Sequence, residues 1–379
     1  MSTSRISAVG LVVAASIGLA ACGSSTSSSG AGTSGSSGSS TTGASSGGSS
    51  SSGGSASING AGSTLAAPIY MQWGSNLSSK GLTVNFSGVG SGAGIAQLQA
   101  GTVDFAGSDP PEKASEITAG KGPVAQFPIA FGGITISYNL SGVKAGLKLD
   151  GKTTADVFLG KVKTWSDPEI KALNPGVKLP STAITVVHRS DASGTTKGFT
   201  TFLSDYSPAW TAAAGKADKT VKWPTGTGAK GNSGVAAAVK QTSGAVGYVE
   251  QAYALQNNFT YAAVKNQAGS YILPTLAATS AAAVGIKIPA DLTISTINSP
   301  NAAAYPIVSQ TFLLVYKDMC KAGVKQAAAS GVKKFLDYGL SAGGQGVEKQ
   351  LSYGPLPSSL LAKDQAQLNT LTCNGSPLS

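Results

Sequence analysis

The segment His188-Arg189-Ser190-Asp191-Ala192-Ser193-Gly194-Thr195 places one guanidinium, one carboxylate and several hydroxyls directly after the apolar run Ile184 to Val187. An arginine presents paired planar donors that match the edge of an oxyanion, and Asp191 is spaced to hold that guanidinium in place. Ser193 and Thr195 add hydroxyls where a helix begins. Three further junctions repeat the chemistry. Gly60-Ala61-Gly62-Ser63-Thr64 opens a helix expected to begin near Leu65, and Gly88-Val89-Gly90-Ser91-Gly92-Ala93-Gly94 follows a strand ending at Phe86. Glycines let backbone approach a ligand, and the free N–H groups of a helix start attract negative charge. Gly107-Ser108-Asp109-Pro110-Pro111 adds a carboxylate ahead of prolines. Each loop taken alone also fits ordinary helix capping, with Asp109 as N-cap and Pro110 as first helical residue. Four such loops in a chain with only 12% charged residues favour one shared oxyanion site.

The elements that must position these loops read as an α/β pattern from Ala56 onward. Leu65, Ile69, Trp73 and Leu77 recur at helical spacing, as do Phe199, Phe202 and Leu203. Strand-like runs cover Thr83 to Phe86, Val103 to Ala106, Ile134 to Tyr138, Ile184 to Val187 and Thr311 to Tyr316. No fixed-period repeat is present.

The beginning of the chain is a different polymer. Residues 1–21 read as a signal peptide, with Arg5, an apolar stretch from Val9 to Leu19 and small residues at the cleavage site. Leu19-Ala20-Ala21-Cys22 fits a lipobox with Cys22 as the lipidated residue, the alternative being a secreted protein with an incidental cysteine. Positions 23–56 hold only Gly, Ser, Thr and Ala and read as a flexible tether, since they bury too little apolar surface to offset ordering entropy. At about 5–6 Å times the square root of its length, the tether would hold a folded part roughly 30 Å from a membrane. In an exported chain the remaining pair, Cys320 and Cys373, is expected to form a disulfide rather than two buried thiols.

Composition narrows the function. The formal net charge of +10 suits anionic partners, but the lysines are scattered without an aromatic-basic stripe, so no nucleic-acid binding is expected. His188 is the single histidine, which excludes a multi-histidine metal site; it is expected to face a neighbouring domain surface or solvent. Gly88, Gly90 and Ala93 satisfy only a loose dinucleotide fingerprint crowded by Gly92 and Gly94, and no serine-hydrolase elbow occurs outside low complexity. No metal and no cofactor are expected.

On GAGSTLAAPIY (Gly60 to Tyr70), GVGSGAG (Gly88 to Gly94), TVDFAGSDPP (Thr102 to Pro111), HRSDASGTT (His188 to Thr196), GAKGNSGVAAAV (Gly228 to Val239) and GAVGYVEQAYA (Gly244 to Ala254), the chain resembles the substrate-binding lipoproteins of phosphate-specific transport (Pst) ABC importers. The resemblance implies a two-lobed periplasmic-binding-protein fold with phosphate in the cleft. It implies phosphate contacts from Thr64, the backbone N–H of Leu65, Ser91, Asp109, Arg189, Ser193, Gly194 and Thr195, with Asp191 orienting Arg189. Leu65 stands where the family often has an aromatic residue, and Ser63 where it often has alanine. Two crossings are expected near Phe131 to Ile134 and Tyr305 to Val308, giving lobe one as 57–132 with 304–379 and lobe two as 133–303. The implied role is a monomeric, non-enzymatic receptor, tethered outside the cytoplasm, that delivers inorganic phosphate to a membrane permease. An exported phosphatase sharing an oxyanion site is the enzymatic alternative, and a surface adhesin carried on the Ser/Gly stalk is the third.

Overall fold

The computed structural model describes residues 56–117 and 121–378. The signal peptide, Cys22 and the tether up to residue 55 lie outside the described residues. Ala56, read above as the last tether residue, instead opens the first strand, Ala56–Gly62, where it pairs with Leu82.

One long strand, Val124–Tyr138, organises both lobes. Its first part pairs antiparallel with Val308–Tyr316 from Val124 to Gly133, and its last part pairs antiparallel with Ala245–Glu250 from Ile134 onward. The burial of this strand is nearly continuous, as expected for one covered on both faces. On one side of it the sheet order runs outward through Val308–Tyr316, Phe105–Ser108, Ala56–Gly62 and Leu82–Gly88; on the other it runs through Ala245–Glu250, Thr185–Arg189 and Thr227–Ala229.

The registers explain why the candidate loops meet. Ala56–Gly62 lies parallel to both its neighbours, with Gly62 opposite Gly88 on one side and Gly107 on the other. Three strands therefore finish at one edge, and the residues after them share the carboxyl end of the sheet, where open α/β sheets bind ligands. In the other lobe Thr185–Arg189 is parallel to Thr227–Ala229, so Arg189 and Ala229 end side by side.

Each lobe packs its loops over aromatic cores. In the first, Tyr70 and Trp73 on the helix Ala67–Ser78 pack edge-to-face against Phe105 and Phe335 respectively. In the second, Phe199 and Trp223 stack on the buried ring of Tyr248 at centroid distances of 4.5 and 5.7 Å. His188 stacks on Trp223 at 4.6 Å and is half-buried. Trp223 thus covers one face of the ring, and the residue keeps part of its surface exposed.

Cys320 and Cys373 are bonded to each other. The bridge joins the turn after Val308–Tyr316 to the C-terminal tail, where Met319 N–H donates to Thr372 O at 3.0 Å. Among the described residues no helix is long and apolar enough to cross a membrane.

Candidate functional site

Arg189 stands at the end of its strand with its side chain 1% exposed. Its backbone N–H donates to the Tyr248 hydroxyl at 3.0 Å, and that hydroxyl also bonds Thr196 Oγ1 at 2.6 Å. The stacked rings under Tyr248 thereby fix the height at which the guanidinium leaves the strand. Nε donates to Asp191 Oδ1 at 2.7 Å and Nη2 to Asp191 Oδ2 at 2.5 Å. Asp191 grips one edge of the guanidinium, while on the other side Nη1 donates to Thr195 Oγ1 at 3.4 Å. Burial pushes the Asp191 carboxyl up, yet the bonds and charge of Arg189 hold it below the usual carboxylate value. A third acceptor contact, from the Gly231 N–H at 3.0 Å, keeps it in that position.

Ser193 caps the helix Gly194–Tyr206, accepting from Thr196 N–H at 3.2 Å. The capping interpretation is therefore correct for this side chain, whose own O–H stays available as a donor. Thr195 Oγ1 accepts from Arg189 Nη1 and Asn232 Nδ2, and Thr64 Oγ1 accepts from Asn232 N–H at 3.2 Å and Nδ2 at 3.0 Å. A hydroxyl whose oxygen is already accepting keeps its own proton free to donate, so both threonines retain a donor. Ser91, first residue of the helix Ser91–Ala100, accepts from Gly194 N–H at 3.3 Å.

Leu65 departs from its expected position. The helix begins at Ala67, and Leu65 is a fully buried turn residue whose N–H donates to Ser63 Oγ at 3.0 Å. The delay has a local cause: Ser63 Oγ also collects the Ala66 N–H at 3.2 Å, closing a turn before regular helix can start.

Asp109 is fully buried and does not cap a helix, since the next helix starts only at Ala114. Its Oδ1 accepts from the hydroxyls of Ser63 and of Thr311, the latter at 3.3 Å. Its Oδ2 is buried with no hydrogen-bond partner in the protein. Burial pushes this carboxyl up to about 6, against the lowering influence of Ser63 and Arg189. A buried, ionisable oxygen without a donor calls for a proton-bearing group.

The two lobes meet across these groups. Gly92 N–H donates to Ala192 O at 3.0 Å. Gly90 has φ of 95°, and a Cβ there would collide with the Asp191 carboxylate. A Cβ on Gly194 would collide with the carbonyl and Oδ2 of Asp109. Only glycine permits either approach.

The structure thus gathers Thr64, Ser91, Asp109, Arg189, Asp191, Ser193, Gly194 and Thr195 around one cleft, with Leu65 N–H engaged beside it. Sequence reasoning gave no role to Ser63, Thr311, Tyr248 or Asn232. Asn232 sits in the quoted GAKGNSGVAAAV segment, but its pairing with Thr64, far away in sequence, has no local signal.

Comparison with known proteins follows the same lines. Residues 34–342 match the model of the PBP superfamily domain. A phosphate-binding protein PstS of Pasteurella multocida is 41% identical over 317 residues, covering 83% of this chain and 90% of its own length. A phosphate-binding protein PstS of Methanocaldococcus jannaschii is 39% identical over 281 residues, covering 69% and 72%. Among solved structures, a high affinity periplasmic phosphate-binding protein bound with phosphate superposes with a TM-score of 0.67 at 26% identity, covering 82% of this chain and 93% of that one.

Proposed function

The chain belongs to the PstS phosphate-binding proteins of the PBP superfamily, and from that premise we propose that it captures inorganic phosphate in the interlobe cleft and passes it to an ABC-type importer. The observation that carries this is the pairing of opposite chemistries in one buried site. Arg189, held side-on by Asp191, offers donors to an oxyanion, while the unpartnered Oδ2 of Asp109 accepts from it. An anion that still carries a proton satisfies both.

The ligand set follows from hydroxyl polarity. Thr64, Ser91, Ser193 and Thr195 donate, as does Arg189; Leu65 N–H is shared with Ser63 and Gly194 N–H with Ser91; Asp109 accepts. The lobes, 57–132 with 304–379 and 133–303, move as a hinge where the long strand changes partner between Gly133 and Ile134. The protein acts as a monomeric binder and performs no reaction on phosphate. It works outside the cytoplasm, carried by a lipid on Cys22 and the tether that follows, and its macromolecular partner is the importer's membrane permease.

Isothermal calorimetry with inorganic phosphate tests the reading, run beside a chromogenic phosphate-ester assay with and without divalent metals. Saturable one-site heat with no ester turnover is the expected result. Absence of phosphate heat refutes the receptor, and metal-dependent turnover would move the protein to the phosphatases.

A further inference from the structure

We propose that Glu112, clasped by Lys219 and Lys197, is an interlobe latch that positions the Ser193 loop over Asp109 and slows release of the bound anion. The inference rests on the phosphate reading above and concerns residues outside that ligand set.

Glu112 follows Asp109 through Pro110 and Pro111, and its side chain is 0% exposed. Its backbone is pinned to the long strand: the N–H donates to Gln126 Oε1 at 2.9 Å, and Gln126 Nε2 donates to its carbonyl at 2.8 Å. Ser108 Oγ donates to Oε1 at 2.5 Å, leaving Oε2 for the opposite lobe. There Lys219 Nζ reaches it at 2.6 Å and Lys197 Nζ at 3.7 Å. Lys197 also approaches the Pro111 carbonyl at 3.4 Å and Glu116 at 4.0 Å. The ammonium carriers are 14% and 19% exposed, so water screens these pairs far less than it screens a surface ion pair.

Both sides of the contact lead directly to the cleft. The carbonyl of Lys219 accepts from Ser193 N–H at 3.0 Å, and Lys197 N–H donates to Ser193 O at 3.1 Å. Two prolines, each with fixed φ, separate Glu112 from Asp109 and leave that strap little freedom to bend. Holding Glu112 to Lys219 therefore holds the Ser193–Thr195 loop against the carboxylate at Asp109. Separating the lobes breaks the ion pair, whereas binding an anion does not require its formation. A contact made only in the closed form raises the closed population and acts mainly on dissociation.

The test compares inorganic phosphate binding by the unmodified protein, Glu112→Gln, Lys219→Met, their double variant and Lys219→Arg. Stopped-flow dissociation and equilibrium affinity are measured, with ligand-free melting temperature as the folding control. Each neutral single variant is expected to release phosphate about tenfold faster, the double no faster than the singles, and Lys219→Arg at close to the original rate. Release within about twofold of the original in both singles, or losses that multiply in the double, would overturn the latch while leaving the phosphate reading intact. An unmodified protein that takes up no phosphate would overturn both.

Discussion

Asp109→Asn tests the proton-reading role of the buried carboxylate. In the native cleft Oδ1 is occupied by Ser63 and Thr311, so Oδ2 is the oxygen left to meet a ligand. Near neutral pH phosphate still carries a proton to donate to it, and sulfate does not. With sulfate the site loses a hydrogen bond to a charged group, about 1.5–3 kcal/mol, which is roughly tenfold to 150-fold at 1.4 kcal/mol per decade. Like-charge contact between the buried carboxylate and a bare oxygen extends the exclusion towards about 10⁴-fold. Because burial raises Asp109 to about 6, the exclusion should be strongest above pH 7 and weaken as pH falls below 6, where the protonated acid can itself donate. Asparagine can turn its amide to the anion, so the variant should bind phosphate more weakly, admit sulfate and lose most of this pH dependence. Competition calorimetry between pH 5 and 8 reads all three effects. Displacement of phosphate by millimolar sulfate from the unmodified protein at pH 8, or an unchanged selectivity ratio in Asp109→Asn, would refute the reasoning.

Arg189→Ala should lower phosphate affinity tenfold to several hundredfold, from loss of charged hydrogen bonds of about 1.5–3 kcal/mol each, and Arg189→Lys should also be impaired because an ammonium cannot satisfy Asp191 and the ligand as a fork does; calorimetry decides both. Reductant should lower the melting temperature, a native disulfide contributing about 2–4 kcal/mol, while phosphate binding persists because Cys320–Cys373 joins the tail away from the cleft. Glu250, raised by burial from 4.5 to about 8, keeps a proton in the folded state that the unfolded chain releases. Stability should therefore fall as pH rises between those values, by up to about 1.4 kcal/mol per unit. Glu348 and Asp364 are raised in the same direction, so melting curves of Glu250→Gln against the unmodified protein isolate its share: the variant's curve should be flatter from pH 5 to 8.

The four junctions were legible because each is local: a strand of apolar residues, then glycines and hydroxyls. Their convergence depends on the parallel register that sets Gly62 between Gly88 and Gly107, a pairing no short segment encodes. The same limit hid Ser63. The family resemblance marks it only as a departure from a frequent alanine, yet its hydroxyl joins the Asp109 carboxylate to the Leu65 and Ala66 amides, and it delays the helix by two residues beyond the expected start. Asp109 before Pro110 looks like a helix cap in sequence, and only the contact with Thr311 from a distant strand redirects it. The stack of His188 on Trp223 has no local signal either, since Trp223 lies in a loop without periodic pattern.

The polarity of the cleft follows from how few charges it contains. Asp191 neutralises one edge of Arg189, so the guanidinium contributes direction more than net charge. In the proposed ligand set the remaining donors are neutral hydroxyls and amides, each hydroxyl oxygen accepting from a group behind it: Asn232 behind Thr64 and Thr195, Gly194 N–H behind Ser91, and Thr196 N–H behind Ser193. Two of these supports, Asn232 to Thr64 and Gly194 to Ser91, run from one proposed lobe to the other, so on the hinge reading they complete the donor set only as the lobes close. An acceptor-only carboxylate set among these donors opposes any fully deprotonated anion. Under the proposed ligand set, selectivity would come from placing one acceptor among many donors, and affinity from neutral groups rather than from the scattered positive charge of the chain.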